Sequence, residues 1–249
     1  MNRSEYKDFY DKVGKLNGWD FSKLRTTSEG EQWDFLQEVT LRCNTSNLLL
    51  DIGTGGGEAL ISIAGAALLL VGIDRSEGMI ESATENLKKS NKGNIRFLQM
   101  EAEDIAFPMS FFNVVSCRHS EFYANEISKV LANDGIFLTQ QVSEGDKLNI
   151  KQAFGRGQGF GTNDGILKEK YLTELAEAGF TDIQSFEYDA SQYFQTYEDL
   201  VFFLKFTPVI PSFGQTDYDF EILQKFIEAN QTEKGIKTNT KRFMIMARK

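Results

Sequence analysis

The sequence predicts an α/β protein built on a doubly wound parallel sheet. Five short apolar segments each fit a buried strand, and helix-like segments alternate with them. The first of these strands, 48–52, contains Asp51 and runs directly into a turn with four glycines within residues 53–57. Glycine at such a turn permits positive φ and lets a ligand approach the main chain, so this edge of the sheet predicts a nucleotide-like ligand.

The N-terminal part of the chain is polar and aromatic and predicts a helical cap over residues 1–40. Helix-like stretches cover 5–13 and 31–41. Between them, the segment 18–22 (Gly-Trp-Asp-Phe-Ser) is placed to fold over the sheet edge that carries the glycine turn. Residues 41–249 are predicted to form the main domain, because no Pro/Gly/Ser-rich linker divides them.

Strands and helices then alternate in the order that a doubly wound sheet requires. The second predicted strand ends at Asp74, and the helix after it begins near Ser76, a favourable N-cap. Gly135 is placed to end the helix that precedes the fifth strand. The five strands are predicted at 48–52, 68–73, 95–100, 112–117 and 136–141, and the helices at 58–64, 76–89 and 125–131.

The C-terminal part combines a glycine-rich stretch, helices and two further strands. Residues 145–165 are rich in glycine and predict either a surface loop or a mobile lid over a substrate. Strands are predicted at 181–188 and 242–247, with a helical insert at about 190–235 between them. Aromatic residues in the insert either line a cap over a small organic substrate or pack as ordinary core. They include Tyr193, Phe194, Phe202, Phe203 and Phe206.

Composition limits the classes of function. The net charge of −9 argues against a nucleic-acid partner, since such surfaces are usually basic. Two cysteines and one histidine among 249 residues predict neither a disulfide framework nor a metal site. The first residues show no apolar signal core, and the longest apolar stretch, 59–73, is too short to span a bilayer. We therefore expect a cytoplasmic protein without a membrane partner.

The spacing of the glycines discriminates between two cofactor classes. A dinucleotide site requires G-x-G-x-x-G, but the sixth position counted from Gly53 is Glu58, and counting from Gly55 does not restore a glycine. The pattern D-x-G-x-G-x-G over 51–57 instead resembles the first motif of class I S-adenosylmethionine-dependent methyltransferases. The resemblance implies S-adenosylmethionine as cofactor. It also implies a Rossmann-like sheet of seven strands with the last strand antiparallel, to which N-terminal and C-terminal helical caps are added.

Downstream segments match the same family in the expected order. Asp74 closes the second strand, where a carboxylate can accept hydrogen bonds from two ribose hydroxyls; the alternative role is a helix cap. Met79 matches the family's apolar contact to adenine, and is otherwise a core methionine. The segment 99–108 resembles the family's Gly-Asp-Ala-Glu-x-Leu-Pro-Phe stretch, whose acid and alanine backbone bracket the adenine edge. Here Met100 and Glu101 replace the usual Gly and Asp.

The resemblance therefore implies a cofactor site spread over the ends of several strands. Residues 112–115, 130–137 and 243–249 resemble further family segments, the last of them the closing antiparallel strand. The expected cofactor contacts are Asp51, Gly53, Thr54, Gly55, Gly57, Asp74, Arg75, Met79, Glu101, Ala102, Glu103 and Cys117.

Polar residues converge at the ends of the fourth and fifth strands, 116–121 and 139–141, where a substrate is expected. We hypothesise that His119, the only histidine, removes a proton from a substrate hydroxyl or amine while the methyl group moves. Its unperturbed pKa lies near neutral pH, which suits a base. The alternative is that His119 and Arg118 position the substrate or brace the loop, since methyl transfer depends mainly on alignment.

The sequence thus predicts an enzyme that transfers a methyl group from S-adenosylmethionine to an O, N or C atom of an unidentified small molecule. An RNA methyltransferase and a non-catalytic S-adenosylmethionine-binding protein remain alternatives, whereas the glycine spacing disfavours an NAD-dependent oxidoreductase. The signature Asn/Asp-Pro-Pro-Tyr/Phe is absent after the fourth strand, which argues against methylation of DNA adenine or protein glutamine. The residues identify neither the substrate nor the oligomeric state.

Overall fold

One mixed β-sheet runs through the chain. The computed structural model describes residues 3–17, 21 and 23–249. Its strands are β1 (Thr26–Glu29), β2 (Leu48–Ile52), β3 (Leu69–Asp74), β4 (Ile95–Gln99), β5 (Phe112–Arg118), β6 (Leu131–Val142), β7 (Thr181–Phe194), β8 (Gln231–Thr232) and β9 (Gly235–Arg248). Its helices are α1 (Arg3–Asn17), α2 (Phe35–Arg42), α3 (Glu58–Ser62), α4 (Glu77–Ser90), α5 (Ala124–Val130), α6 (Leu148–Phe154), α7 (Ile166–Glu177), α8 (Tyr197–Phe206) and α9 (Asp217–Asn230), with a 3₁₀ turn at Ala64–Ala66.

Five parallel strands form the centre of the sheet. The order across the sheet is β1-β7-β9-β6-β5-β2-β3-β4, and the strands from β6 to β4 pair in parallel. The last strand, β9, lies antiparallel between β6 and β7. The prediction of a doubly wound α/β sheet whose last strand is antiparallel is therefore confirmed.

The central parallel strands, of which β2 is the example, are covered on both faces, as a continuous apolar sequence predicts. Leu50 and Ile52 of β2 lie in one hydrophobic cluster together with buried residues of α5 and α7. Leu49, which points to the other face, lies in a second cluster with buried residues of α2 and α3. This alternation fixes the register of β2, so that the strand delivers Asp51 and the glycine turn to the carboxyl edge of the sheet.

Two strands lie outside the seven that the sequence predicts. Strand β1 pairs antiparallel with β7, from Thr26 opposite Phe194 to Glu29 opposite Ser191. Its sequence, Thr-Thr-Ser-Glu, has no apolar alternation, so only the pairing with β7 makes it a strand. Strand β8 pairs with the start of β9. The sheet of the described chain thus has nine strands, and the predicted N-terminal helical cap contains a strand between its helices.

Strands β7 and β9 are longer than predicted. They pair with each other from Thr181 to Phe194, so both ends of the predicted helical insert at 190–235 are strand, and α8 and α9 fill its interior. Polar residues such as Thr238 and Thr240 are buried in this two-stranded extension. Because these buried residues are polar, the sequence lacks the alternation of apolar and polar residues that would identify a strand.

The helices of the insert form a separate hydrophobic core with α6. Phe194 is fully buried in this core and Phe203 packs against it, so these aromatics are core residues. Phe202 contacts Phe21 edge-on, with ring centroids 5.8 Å apart. Apart from Phe21, the predicted cap segment 18–22 lies outside the described residues.

Helix α1 packs closely on α4. Gly14 and Gly78 lie against each other, and a Cβ added to Gly14 would lie 2.6 Å from the Gly78 carbonyl carbon. Ser76 Oγ donates to Asp11 Oδ1 at 2.6 Å. This docking brings Tyr10 of α1 to the carboxyl end of β3, where it forms part of a cleft wall.

The helices of the described chain are short, and the longest, α1, has 15 residues. Within that part of the chain, no helix combines the length and the apolar character needed to cross a bilayer. The division between an N-terminal cap and a main domain at residue 40 stays a prediction.

Candidate cofactor and substrate site

The turn after β2 is built so that glycine is required at its bends. Positive φ angles of 72°, 56° and 77° occur at Gly53, Gly55 and Gly57. A Cβ added to Gly53 would lie 2.3 Å from the side chain of Ser120. The N–H groups of Gly53 and Thr54 both donate to the carbonyl of Ile73, at 2.9 and 3.0 Å. These bonds hold the bare main chain of the turn against the end of β3.

Asp74 links the ends of β2 and β3. Its Oδ2 accepts from the N–H of Gly55 at 3.0 Å, and its Oδ1 accepts from the N–H of Ser76 at 2.9 Å. Burial raises the pKa of Asp74, although these two hydrogen bonds oppose the shift. A carboxylate offers about four lone-pair positions, so both oxygens retain the capacity to accept from a ligand.

Asp51 occupies the other side of the turn. Ser116 Oγ donates to its Oδ1 at 2.7 Å. Burial raises the pKa of Asp51, and the hydrogen bond from Ser116 and the charge of Arg118 act in the opposite direction. The carboxylate is therefore placed beside the glycine turn in surroundings that favour a cationic partner.

These groups open into a cleft of about 490 Å³ at the carboxyl edge of the sheet. Its size suits a small organic ligand. The cleft brings together the sequence-predicted residues Gly53, Gly55, Asp74, Arg75, Met79, Glu101, Ala102, Arg118 and His119. Asp51 and Thr54 line a smaller cavity of about 80 Å³, which shares Gly53, Arg118 and His119 with the cleft.

Three predicted cofactor residues line neither cavity. Gly57 is buried at the start of α3, Glu103 is exposed, and Cys117 lies in the main core. Cys117 Sγ donates to the carbonyl of Ser120 at 3.2 Å, and burial raises its pKa, so it stays a thiol. Side chains alternate along a strand, so Cys117 joins the core while its neighbour Arg118 reaches the cleft.

Arg118 and His119 stand at the end of β5, where the sequence places the transfer step. The N–H of His119 donates to the carbonyl of Gln140 at 2.8 Å, and its φ of 57° ends the strand in the left-handed region. Burial, followed by the charges of Arg242 and Arg118, lowers the pKa of His119 well below its ordinary value. The imidazole is therefore neutral at pH 7.

Several cleft residues were not singled out from the sequence. Leu167 and Tyr171 of α7 lie four residues apart on one face of that helix, and both line the cleft. An aromatic residue with a polar tip on that face was the available signal. The cleft wall also contains three further residues that the sequence did not single out, Tyr10, Tyr123 and Gln158.

Gln158 belongs to the glycine-rich stretch, which hydrogen bonds connect to Glu144 just after β6. Lys151 Nζ donates to the carbonyls of Glu144 and Gln158, at 2.6 and 3.0 Å. The carboxylate of Glu144 accepts from the N–H groups of Gly165 and Leu167, at 2.9 and 2.8 Å. These bonds place one residue of the stretch in the cleft wall; a lid motion stays a prediction.

The sequence matches the family described as a methyltransferase domain over residues 45–179, which is more than half of the chain. The chain belongs to this methyltransferase family. Together with the strand order, the match assigns the methyltransferase chain to the class I S-adenosylmethionine-dependent superfamily.

Curated relatives of this methyltransferase chain align with part of its length. It is 29% identical over 118 residues to the uncharacterized methyltransferase YcgJ of Bacillus subtilis, covering 45% of this chain and 46% of that protein. It is 26% identical over 167 residues to demethylmenaquinone methyltransferase of Lactococcus lactis, covering 62% and 65%. The aligned regions thus span less than two thirds of either relative.

Solved structures share the fold more extensively. The YcgJ protein of Bacillus subtilis superposes with a TM-score of 0.61 at 18% identity, over 86% of the methyltransferase chain and 95% of that structure. A functionally unknown protein from Deinococcus radiodurans superposes with a TM-score of 0.62 at 14% identity, over 99% of both chains. At these identities the likeness establishes the fold.

The residues of the methyltransferase site fit S-adenosylmethionine. The main chain at Gly53 lies bare where a Cβ would collide with its neighbour, and Asp74 retains acceptor capacity beside it. Met79 is 2% exposed and still forms part of the cleft wall, as an apolar contact to a base requires. In the part of the chain that the structure describes, no three His, Cys, Asp or Glu side chains are grouped to hold a metal ion.

Proposed function

We propose that this protein transfers a methyl group from S-adenosylmethionine to an O, N or C atom of a small molecule. The observation that carries the proposal is the hydrogen bond from the N–H of Gly55 to Asp74 Oδ2, at 3.0 Å. It joins the two features that the family uses for the amino-acid part and the ribose of its cofactor. The cleft beside this bond also contains Arg118 and His119. Membership of the methyltransferase family supports the assignment.

The residues around the cleft have separate roles in binding. Asp74 accepts hydrogen bonds from ribose hydroxyls through the lone pairs that the backbone leaves. Asp51 attracts the ammonium group of the amino-acid part. Met79 provides an apolar contact for the face of the adenine base, and the backbone at Glu101 and Ala102 provides polar groups for its edge. When bound, S-adenosylmethionine supplies an electrophilic methyl group on a sulfonium sulfur.

The chain contributes to the transfer mainly by alignment. Asp51 and Asp74 would hold the cofactor, which would supply the methyl group to the acceptor atom and keep the electron pair of the carbon–sulfur bond. A proton on the acceptor, where there is one, leaves to solvent. Holding two reactants in line supplies a large part of the rate enhancement in such a step. Arg118 and His119 at the end of β5 are the polar groups placed to orient the substrate.

Three observations support a small substrate over RNA. The cleft volume of about 490 Å³ is that of a small-molecule site. The cleft wall carries three acidic side chains and two cationic ones, and such a charge does not favour a polyanion. They are Asp74, Glu101, Glu121, Arg75 and Arg118. Curated relatives are named for methylation of demethylmenaquinone and of a cobalt-precorrin, both of them small molecules.

Calorimetry with three cofactors tests the cofactor assignment. We expect S-adenosylmethionine and S-adenosylhomocysteine to bind and NAD not to bind, because the glycine spacing lacks the dinucleotide pattern. Absence of binding by both sulfur compounds would overturn the proposal.

A methyl-transfer screen tests the reaction itself. The protein is incubated with S-adenosylmethionine labelled in its methyl group and with either a small-metabolite extract or total RNA. We expect label in the metabolite fraction. Label in RNA alone would establish the RNA methyltransferase alternative, and cofactor binding without transfer to either fraction would establish the non-catalytic one.

A further inference from the structure

Three side chains form a hydrogen-bonded series that ends at His119. Trp33, just before α2, donates from Nε1 to Gln140 Oε1 at 2.7 Å. Gln140 Nε2 lies 3.0 Å from His119 Nε2. Gln140 is 7% exposed and does not line the cleft, whereas His119 does. Any influence of Gln140 on a ligand therefore passes through His119.

The chemistry of the first member fixes the direction of the whole series. An indole N–H donates and never accepts, so the amide atom that faces Trp33 is the carbonyl oxygen. The NH₂ group of Gln140 then faces His119. Because an amide NH₂ only donates, His119 Nε2 accepts this bond and carries no proton. The proton of the neutral ring consequently lies on Nδ1.

We propose that Gln140, oriented by Trp33, holds His119 as the neutral tautomer protonated on Nδ1, so that His119 donates a hydrogen bond to an acceptor atom of the substrate. Trp33 and Gln140 are then positioning residues, and His119 does not serve as a base. The inference rests on the proposed function of the same cleft. It gives the substrate a specific feature, an oxygen that is anionic or carbonyl-like.

The hydrogen bonds around His119 hold the residue in place and leave Nδ1 without a protein partner among the described residues. Its backbone N–H is bonded to the carbonyl of Gln140 at 2.8 Å, so the residue is held to β6 at both main chain and ring. Among residues 3–17, 21 and 23–249, no protein group bonds Nδ1. His119 forms part of the cleft wall, so the proposal assigns its remaining ring nitrogen to a ligand.

The charges around His119 favour a donor over a base for an independent reason. Three cations from different elements, Arg118, Arg242 and Lys147, act on the ring, and one anion, Asp146, opposes them. A base that captured a substrate proton would become a fourth cation beside those three. An anionic substrate oxygen is instead attracted by the same charges, so both the hydrogen bond and the field select an acceptor.

Nitrogen NMR of the single histidine tests the tautomer directly. Protein labelled with ¹⁵N-histidine gives one pair of ring signals. At pH 7 we expect Nδ1 to show the shift of a protonated nitrogen and Nε2 that of an unprotonated one. The measurement needs neither cofactor nor substrate, so its outcome is independent of whether the protein binds S-adenosylmethionine. A proton on Nε2 in the wild type would overturn the proposal.

Gln140→Glu and Trp33→Phe test the roles of the two positioning residues. In Gln140→Glu a carboxylate that only accepts replaces the amide, so the proton moves to Nε2 and the titration midpoint of His119 rises by about one unit or more. In Trp33→Phe the amide is free to turn, and both tautomers appear. The matched control is Gln37→Glu, an exposed residue in the first turn of α2, which leaves the ring signals unchanged.

A pair of oppositely charged probes tests the acceptor role. Benzoate and benzylamine are titrated separately into labelled protein saturated with S-adenosylhomocysteine. We expect benzoate to shift the Nδ1 signal of His119 and benzylamine to leave it in place. An Nδ1 signal that does not respond to benzoate, or a Gln140→Glu variant that keeps the wild-type tautomer, would contradict the inference.

Discussion

At the scale of single residues, Asp74 is engaged before any ligand binds. Its two oxygens accept from the N–H groups of Gly55 and Ser76. In Asp74→Asn the amide NH₂ must face one of these donors, and the negative charge beside the ribose site is lost. Hydrogen bonds to charged groups contribute about 1.5–3 kcal/mol, so we expect S-adenosylmethionine to bind roughly 10- to 100-fold more weakly, as measured by calorimetry.

Asp134→Asn is the matched control for this substitution. Asp134 is exposed in the turn before the second half of β6, away from the cleft. Its replacement removes the same charge without touching the site, so the dissociation constant should not change. An Asp74→Asn variant that binds like the wild type would remove Asp74 from the cofactor site.

The residues at the turn were predictable because they depend on local sequence. Neighbouring parallel strands end at the same edge, so an acid that closes β3 must lie beside a glycine turn that follows β2. Cys117, another predicted cofactor residue, lies in the core while its neighbour Arg118 lines the cleft, because the alternation of side chains continues along β5. In this chain it stops at His119, whose φ is positive.

At the scale of elements, the contact between α1 and α4 depends on two glycines. A Cβ on Gly14 would lie 2.6 Å from the Gly78 carbonyl carbon and 2.7 Å from the N of Met79, both backbone atoms that cannot turn aside. Alanine improves helix propensity by about 1 kcal/mol, but overpacking of this kind costs about 1–3 kcal/mol. We expect Gly14→Ala to lower the melting temperature and to weaken cofactor binding, since Tyr10 on α1 lines the cleft.

Gly65→Ala is the control for Gly14→Ala: it makes the same glycine-to-alanine change where the added Cβ meets no other atom. A Cβ on Gly65 would meet nothing within 4 Å, and its φ is not positive. This variant should match the wild type in cofactor affinity and equal or exceed it in melting temperature. Equal behaviour of both variants would show that the close helix contact does not matter.

The elements that were predictable are those whose apolar pattern is strong. Strands β2, β3 and β5 are largely apolar and buried, so their sequences alone identify them as central strands. Strand β1 offered no such pattern, because Thr26–Glu29 is polar and acquires its structure from hydrogen bonds to β7. The sequence also does not predict residues 189–194 of β7 and 235–241 of β9 as strand. Their strand structure depends on the hydrogen bonds that the two strands form with each other.

At the scale of the whole molecule, a buried ionic group joins the end of β6 to β9. Asp146, 3% exposed, accepts from Arg242 at 2.6 Å and from Lys147 Nζ at 3.2 Å. Asp146→Asn leaves two largely buried cations without their counterion. Removing one partner of a buried pair costs about 3–5 kcal/mol, and we expect that loss in the free energy of unfolding by urea at pH 7.

The pH dependence of this loss has a definite sign. Burial raises the pKa of Asp146, but the charges of Arg242 and Lys147 outweigh burial and hold the pKa at about 2. The unfolded carboxyl titrates near the ordinary aspartate pKa of 3.8, so its contribution is complete above about pH 4 and is lost as the pH falls toward 2. The stability difference between wild type and Asp146→Asn should therefore shrink in acid.

Asp182→Asn provides the comparison at the surface. Asp182 lies 3.7 Å from Arg248, and both side chains are more than half exposed. Exposed pairs contribute at most about 1 kcal/mol and often nothing measurable, so this variant should unfold like the wild type. A comparable loss in both variants would mean that burial of the Asp146 group is not what stabilises it.

Such long-range pairs mark the limit of prediction from this sequence. The order of the central strands follows from the family pattern, but Asp146 and Arg242 are 96 residues apart and neither belongs to a motif. Nothing local indicates that a charged residue at either position is buried. The same holds for Trp33 and Gln140, which lie 107 residues apart and meet only in the folded chain.

The burial of Asp51 couples cofactor uptake to the exchange of protons with the buffer. Burial raises its pKa, so in the free protein this carboxyl takes up a hydrogen ion at a higher pH than an ordinary aspartate does. A cationic ammonium group favours the ionised carboxylate and expels that ion, so affinity for the cofactor climbs as the solution becomes less acid. Heats of association measured across a series of falling pH values should accordingly begin to differ between buffers of unequal ionisation enthalpy.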